Sequence, residues 1–353
     1  GNIMSWDNVK GVSSAKIWTD NPNLSQAYLF ANGNHQVKVT VGLSLTLTNT
    51  SQGGPTADEV KSALSLIDYE TGAALSHLKT GSKGSYSSVY LPNLPMANNA
   101  VTASSDIAYQ YEFDYYLSSD STINANYGSE KVALLLSYTN SSGTKVTYST
   151  ASGSKSQSSV AVTVYPPKRY GVTGSGSTPV IIKQKDDQPG ITNSSTTNLS
   201  NETVSTYSLR IDDSYFRIVS YEYSGTPQSP IPFTRHATNI SPKGPGYDPE
   251  WNIHEAFIPV ENRVYHESST YNSLLSITYN DSNWAFFSVT ISIHQDPFEI
   301  IVVHFACDYL DRSQSTFSNK VGTASLTIFD QFGNKLNVVV SENDSGFNID
   351  SVA

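Results

Sequence analysis

Val37-Lys-Val-Thr-Val-Gly-Leu-Ser-Leu-Thr-Leu47 carries an apolar residue at every odd position, with a lysine, a glycine and three hydroxyl residues between them. An apolar period of two is the mark of a β-strand with one face on a core and the other toward water. At about 3.3 Å per residue the segment would span about 35 Å, long for one strand of a sandwich. A bend or bulge is therefore expected near Gly42, where the missing side chain would let the strand turn.

Looser versions of the same alternation recur along the chain. In the first half they cover 15–19, 65–69, 107–117, 132–139, 145–150 and 160–164. In the second half they cover 207–211, 216–223, 256–260, 274–279, 284–294, 298–307, 324–329 and 336–340. Short strands at such intervals, joined by turn residues, describe antiparallel β-sandwiches. One short helix interrupts them. Thr56-Ala-Asp-Glu59 fits a capping box, and Val60, Ala63 and Leu64 then share a face.

The chain has 353 residues, enough for two or three domains. Pro166-Pro-Lys-Arg-Tyr170 followed by a Gly/Ser run marks the clearest break. The expected division is an N-terminal sandwich over 1–165, a linker and loop-rich lead-in over 166–203, and a C-terminal sandwich over 204–353. The fold class expected is all-β: two antiparallel, Ig-like β-sandwich domains, the first with one short helix.

Only 15% of the residues are charged, the formal net charge is -10, and 22 are tyrosines. Charge this sparse and this acidic offers no basic stripe for nucleic acid, and no run of apolar residues is long enough for a membrane-spanning helix. Cys307 is the single cysteine, so no intrachain disulfide forms. The composition suits an extracellular or cell-surface β-protein. With no signal peptide visible, a cytoplasmic location also stands.

Each half contains a hairpin with a Gly-x-Lys turn, at Gly143-Thr-Lys145 and Gly333-Asn-Lys335. Ala324-Ser-Leu-Thr-Ile-Phe-Asp-Gln-Phe-Gly-Asn334 resembles the strand and turn of bacterial Ig-like modules in invasin-type surface proteins. Ala31-Asn-Gly33, leading into the Val37 strand, is similar to the opening of such modules. The resemblance covers about thirty residues in two separate places and implies an Ig-like sandwich with a role at a bacterial surface.

Among candidate sites, Ser241-Pro-Lys-Gly-Pro-Gly-Tyr-Asp-Pro-Glu-Trp-Asn252 is the most distinctive loop. Tyr247 and Trp251 offer rings that stack on sugar C–H faces, while Asp248 and Asn252 suit sugar hydroxyls. The competing reading packs these aromatics on the loop's own strands. His254, His266, His294 and His304 lie within 51 residues beside several carboxylates, but without the tight spacing of a metal motif. No metal, cofactor or catalytic residue is therefore assigned. Ile300-Ile-Val-Val-His-Phe-Ala-Cys307 is apolar on both faces, so both need a cover: the other domain, a long loop, or a second copy meeting the 298–307 strand.

The function expected is non-enzymatic binding or adhesion, with a glycan or surface receptor as partner. A β-structured toxin or toxin accessory and a structural or assembly subunit are the alternatives.

Overall fold

The computed structural model describes residues 5–92, 107–120, 128–187, 189–193, 199–223, 231–241, 250–279, 285–310, 319–343 and 346–353. It is all-β apart from one α-helix and one 3-10 turn among these residues. Two compact units account for the chain. The first comprises Gly1–Lys168 with Phe332–Asn334, the second Arg169–Gln331 with Lys335–Ala353.

The first unit contains β1 (Val9–Thr19), β2 (Gln26–Phe30), β3 (Val37–Leu47), α1 (Ala57–Ala63), β4 (Leu64–Asp68), β5 (Lys79–Gly81), β6 (Tyr111–Ser118), β7 (Gly128–Thr139), β8 (Lys145–Ser149) and β9 (Val160–Tyr165). One sheet runs β1-β3-β6-β5; the other runs β2-β9-β7-β4, with β8 also on β7. All pairings are antiparallel except β2 with β9. Val37, Val39 and Val41 of β3 meet Leu29, Val132, Leu134, Val160 and Val162 of the facing sheet. Further along β3, Leu43 and Leu45 join Trp6, Val60 and Leu136 in a second cluster. Each such aliphatic side chain, fully buried, stabilises by about 1.5–3 kcal/mol before entropy is counted.

β3 has no bulge at Gly42. It pairs without interruption on both sides there, with Lys16 and with Glu112, and the register shifts fall in β1 instead. Gly42 makes room. A Cβ at this position would stand 2.5 Å from the Tyr109 ring and 2.9 Å from Trp18, two rings stacked at 5.7 Å over its backbone. The helix cap forms as its residues dictate: Thr56 Oγ1 accepts from Glu59 N, and Glu59 Oε1 accepts from Thr56 N, both at 3.2 Å. In the stretch Phe332–Asn334, Gly333 takes the positive φ of 76° that glycine accepts readily, and Asn334 Oδ1 accepts from Asn32 Nδ2 and Lys168 N.

The second unit contains β10 (Tyr170–Gly171), β11 (Thr178–Gln184), β12 (Gly190–Asn193), β13 (Leu199–Ile211), β14 (Ile218–Tyr223), β15 (Ile231–Asn239), β16 (Glu250–Ile258), β17 (Ser269–Tyr279), β18 (Ala285–Gln295), β19 (Ile300–Leu310), β20 (Thr323–Asp330), β21 (Lys335–Asn343) and β22 (Gly346–Val352). The stretch 166–203, expected as a linker, thus supplies three complete strands and the start of a fourth.

Three sheets stack in this unit. The widest runs β10-β11-β13-β19-β16-β15; the others run β12-β18-β17 and β14-β20-β21-β22. The wide sheet lies in the middle. From one face, Leu209, Ile258, Ile300 and Val302 pack on Ile218, Leu326, Ile328, Val338 and Val340. From the other, Ile253, Phe257, Ile301, Val303 and Phe305 pack on Leu275, Val289, Ile291 and Ile293. This corrects the reading of the 298–307 strand. Its apolar residues on both faces, Ile300 to Val303 with Phe305 and Cys307, are covered inside its own unit, so they need no second copy or other domain to bury them.

Candidate functional site

The apolar packing on the β14-β20-β21-β22 side of the middle sheet stops short of the sheet's end. Beyond Ala256 and Val302 the same face of β16 and β19 turns polar, with Asn252, His254, His304 and Asp308, all half-buried. In the antiparallel register His254 stands opposite Ala306, and Ala256 opposite His304. Both strands therefore carry a His-x-Ala tripeptide, and the two alanines leave room for the two imidazoles to meet across the diagonal. His254 Nδ1 lies 3.0 Å from His304 Nε2. On the other side His236 of β15 is the register partner of His254, and their rings stack at 4.8 Å.

Hydrogen bonds fix the direction of this network. Asp308 accepts from Asn252 Nδ2 at 3.0 Å and from Asn201 Nδ2 at 2.7 Å. With its amide nitrogen committed, Asn252 turns Oδ1 to His254 Nε2 at 2.5 Å, so that nitrogen carries the proton. His254 Nδ1 then holds a lone pair, and His304 Nε2–H donates to it. Asn201 sits at a register break in β13 between Ser200 and Thr203, with φ of 52°. A bulge re-aims a side chain, and asparagine tolerates the left-handed conformation better than most residues.

Glu342, near the end of β21, closes the other side. Its carboxylate oxygens stand 3.7 Å from His236 Nδ1 and 3.8 Å from His304 Nε2, and its side chain is 9% exposed. The electrostatics follow from the geometry. Donated hydrogen bonds from Asn201 and Asn252 hold Asp308 below the usual carboxylate range. Burial, and then the neighbouring imidazoles, lower His304 to about 4. Burial followed by His236 lowers His254. Both rings are neutral at pH 7.

Of the residues expected to bind, Tyr247 and Asp248 lie outside the described residues. Trp251 lies in the core: it is 7% exposed and packs with Ile253, Val303 and Tyr309, so it presents no stacking face. The β-strand period explains this, because Trp251 and Asn252 are neighbours on one strand and must point to opposite faces. Asn252 alone of the four is placed in the polar network. Of the four grouped histidines, His254 and His304 meet. His266 packs edge-on against Phe298, and His294 pairs with Asp296 at 3.3 Å. His236, outside the original group, completes the array. The repeated His-x-Ala was the available signal, readable only if the two segments are known to be antiparallel neighbours.

Other chemical candidates are tied up. Glu255 is fully buried against Arg235 at 2.9 Å. Cys307 is buried, and its thiol is pushed up to about 12, chiefly by desolvation. Among the described residues no group of three or more His, Cys, Asp or Glu could hold a metal ion, and no helix is long and apolar enough to cross a membrane. No protein-family model matches the sequence, and no curated protein resembles it closely enough to assign a family.

Proposed function

We propose that this is a non-enzymatic binding protein acting at a cell or host surface, with a glycan as its ligand class. The observation that carries the reading is the half-exposed row Asn201, Asp308, Asn252 on adjacent strands, locked by hydrogen bonds of 2.7 and 3.0 Å. Side-chain amides and a carboxylate, pre-oriented on a rigid sheet, match the alternating donors and acceptors of sugar hydroxyls and lose little entropy on binding. The low-charge, tyrosine-rich composition is in keeping with this role.

A glycan array probed with the whole protein tests it, repeated with Asn252→Ala, Asp308→Ala and Tyr247→Ala. Binding by the parent and at least tenfold weaker binding by the first two variants is expected. Retention by both would remove the network from the binding site. A parent that binds no glycan would remove the ligand class.

A further inference from the structure

Among the strands that end a sheet, only β1, β15 and β17 are longer than seven residues. A long unpaired edge presents a row of N–H and C=O groups to any other strand, and charges, prolines or bulges normally guard it. β1 carries Lys10 and Lys16 and shifts register twice against β3. β15 carries Pro232, shifts register beside it, and exchanges two hydrogen bonds with Lys320 through Arg235. β17 has none of these devices. Its sequence, Ser269-Thr-Tyr-Asn-Ser-Leu-Leu-Ser-Ile-Thr-Tyr279, holds no charge, proline or glycine, and all of it pairs with β18 without a shift. No described residue pairs with its other edge.

We propose that this edge is the contact through which two copies of the chain associate, β17 lying antiparallel to β17 across a twofold axis. The proposal goes beyond the glycan reading and does not depend on it. A twofold contact requires a surface that complements itself. In β17 the side chains of Thr270, Asn272, Leu274 and Ser276 are exposed, while Ser273 and Leu275 are buried. A twofold axis perpendicular to the sheet keeps the exposed faces of both copies on one side. Residues standing opposite each other must then share a face, so the axis passes through a residue and not between two. Full overlap of a strand of 11 residues puts that residue at its middle, Leu274. There an apolar side chain that is 49% exposed meets its own copy. On either side Asn272 stands opposite Ser276, an amide facing a hydroxyl, and no like charges oppose each other along the strand. The joined sheet runs β12-β18-β17-β17-β18-β12 and ends on β12, a strand of 4 residues. Association thus leaves only short edges open in this sheet.

Sedimentation velocity of the untagged full chain, from low to high micromolar concentration, tests this. A monomer–dimer equilibrium is expected, because edge pairing alone makes a small interface. Leu274→Lys brings two ammonium groups together at the axis and should weaken dimerisation by about tenfold or more, and Leu274→Glu likewise. Mixed in equal amounts, the two variants should recover a dimer, since lysine then faces glutamate. That recovery depends on the register, and a variant that lost its partner by unfolding would not show it. Thr192→Lys adds the same charge on the exposed face of β12, in line with Leu274 but two strands away, and should leave dimerisation unchanged. A parent that stays monomeric at every concentration overturns the proposal and leaves the edge to a strand from another protein. A dimer that Leu274→Lys does not weaken overturns it equally, as does a mixture that stays monomeric or a dimer lost in Thr192→Lys.

Discussion

A methyl group added at position 42 would meet the Tyr109 ring at 2.5 Å and Trp18 at 2.9 Å, so Gly42→Ala must displace one of two stacked rings or the backbone beneath them. Overpacking of this kind costs about 1–3 kcal/mol. A lower urea midpoint with an unchanged slope is the expected outcome, and an unchanged midpoint would show that the rings give way freely. His35 is the second residue with a sharp consequence. It is fully buried, its Nδ1 accepts from Phe30 N at 3.0 Å, and its Nε2–H donates to the Ser88 carbonyl at 2.9 Å. Burial lowers its pKa from 6.5 to about 4. The unfolded chain takes up this proton as pH falls through 6.5 while the folded protein refuses it until about 4, so stability is full above that window and declines within it. The loss amounts to about 3 kcal/mol by pH 4. Urea unfolding at pH 7, 5.5 and 4.5 should show the decline, and His35→Asn, less stable at pH 7, should flatten it. Neither role was visible in the sequence. Glycine in a strand suggests a bend as readily as a close contact, and a histidine's burial depends on a partner 53 positions away.

At the scale of elements, alternation identified β3, β9, β19 and β20 because one or both faces of each are uniformly apolar. It missed β2, β15 and β22, and it treated β11 and β12 as loop. β2 is short; β12 carries one apolar residue, and β22 spaces its apolar residues irregularly, at Phe347, Ile349 and Val352, across a register shift in its pairing with β21. The contacts that tie elements together were harder still to read. Lys185, just after β11, has a side chain only 6% exposed, and its ammonium meets the 4% exposed Glu299 carboxylate just before β19. Asp296 lies 3.1 Å away and the His294 carbonyl accepts at 3.0 Å. Removing one partner strands the other charge in a dry site. Lys185→Met is expected to destabilise by about 3–5 kcal/mol, and the double variant Lys185→Met/Glu299→Gln by clearly less. Chemical denaturation of the pair of variants checks this; equal losses would mean that the lysine acts through its packing alone.

For the whole molecule, the all-β class was legible throughout, whereas the stacking of three sheets in the second unit was not. Sequence showed that β19 needs a cover on both faces but carries no record of which strands provide it. The polar network was legible only as residue types, since its assembly depends on the registers of β13, β15, β16 and β19. The layered arrangement makes its own prediction. Backbone amides of Val302, Val303 and Phe305, between two sheets and flanked by β13 and β16, should exchange with deuterium more slowly than any in β17 or β22. Faster exchange in β19 would mean that the middle layer opens independently. The same arrangement has a consequence during synthesis. β13 leaves the ribosome roughly ninety residues before β19, the strand that pairs with one of its edges. At ordinary elongation rates that edge, and the apolar residues Val204, Tyr207, Leu209 and Ile211 beside it, wait about 5–20 s without their partner. An open ladder of this length is a template for the wrong strand, including the same strand on a neighbouring nascent chain. The hazard of aggregation is therefore set by the order in which the strands are made, and a slower passage through the β14–β18 coding region would lengthen it without altering the finished fold.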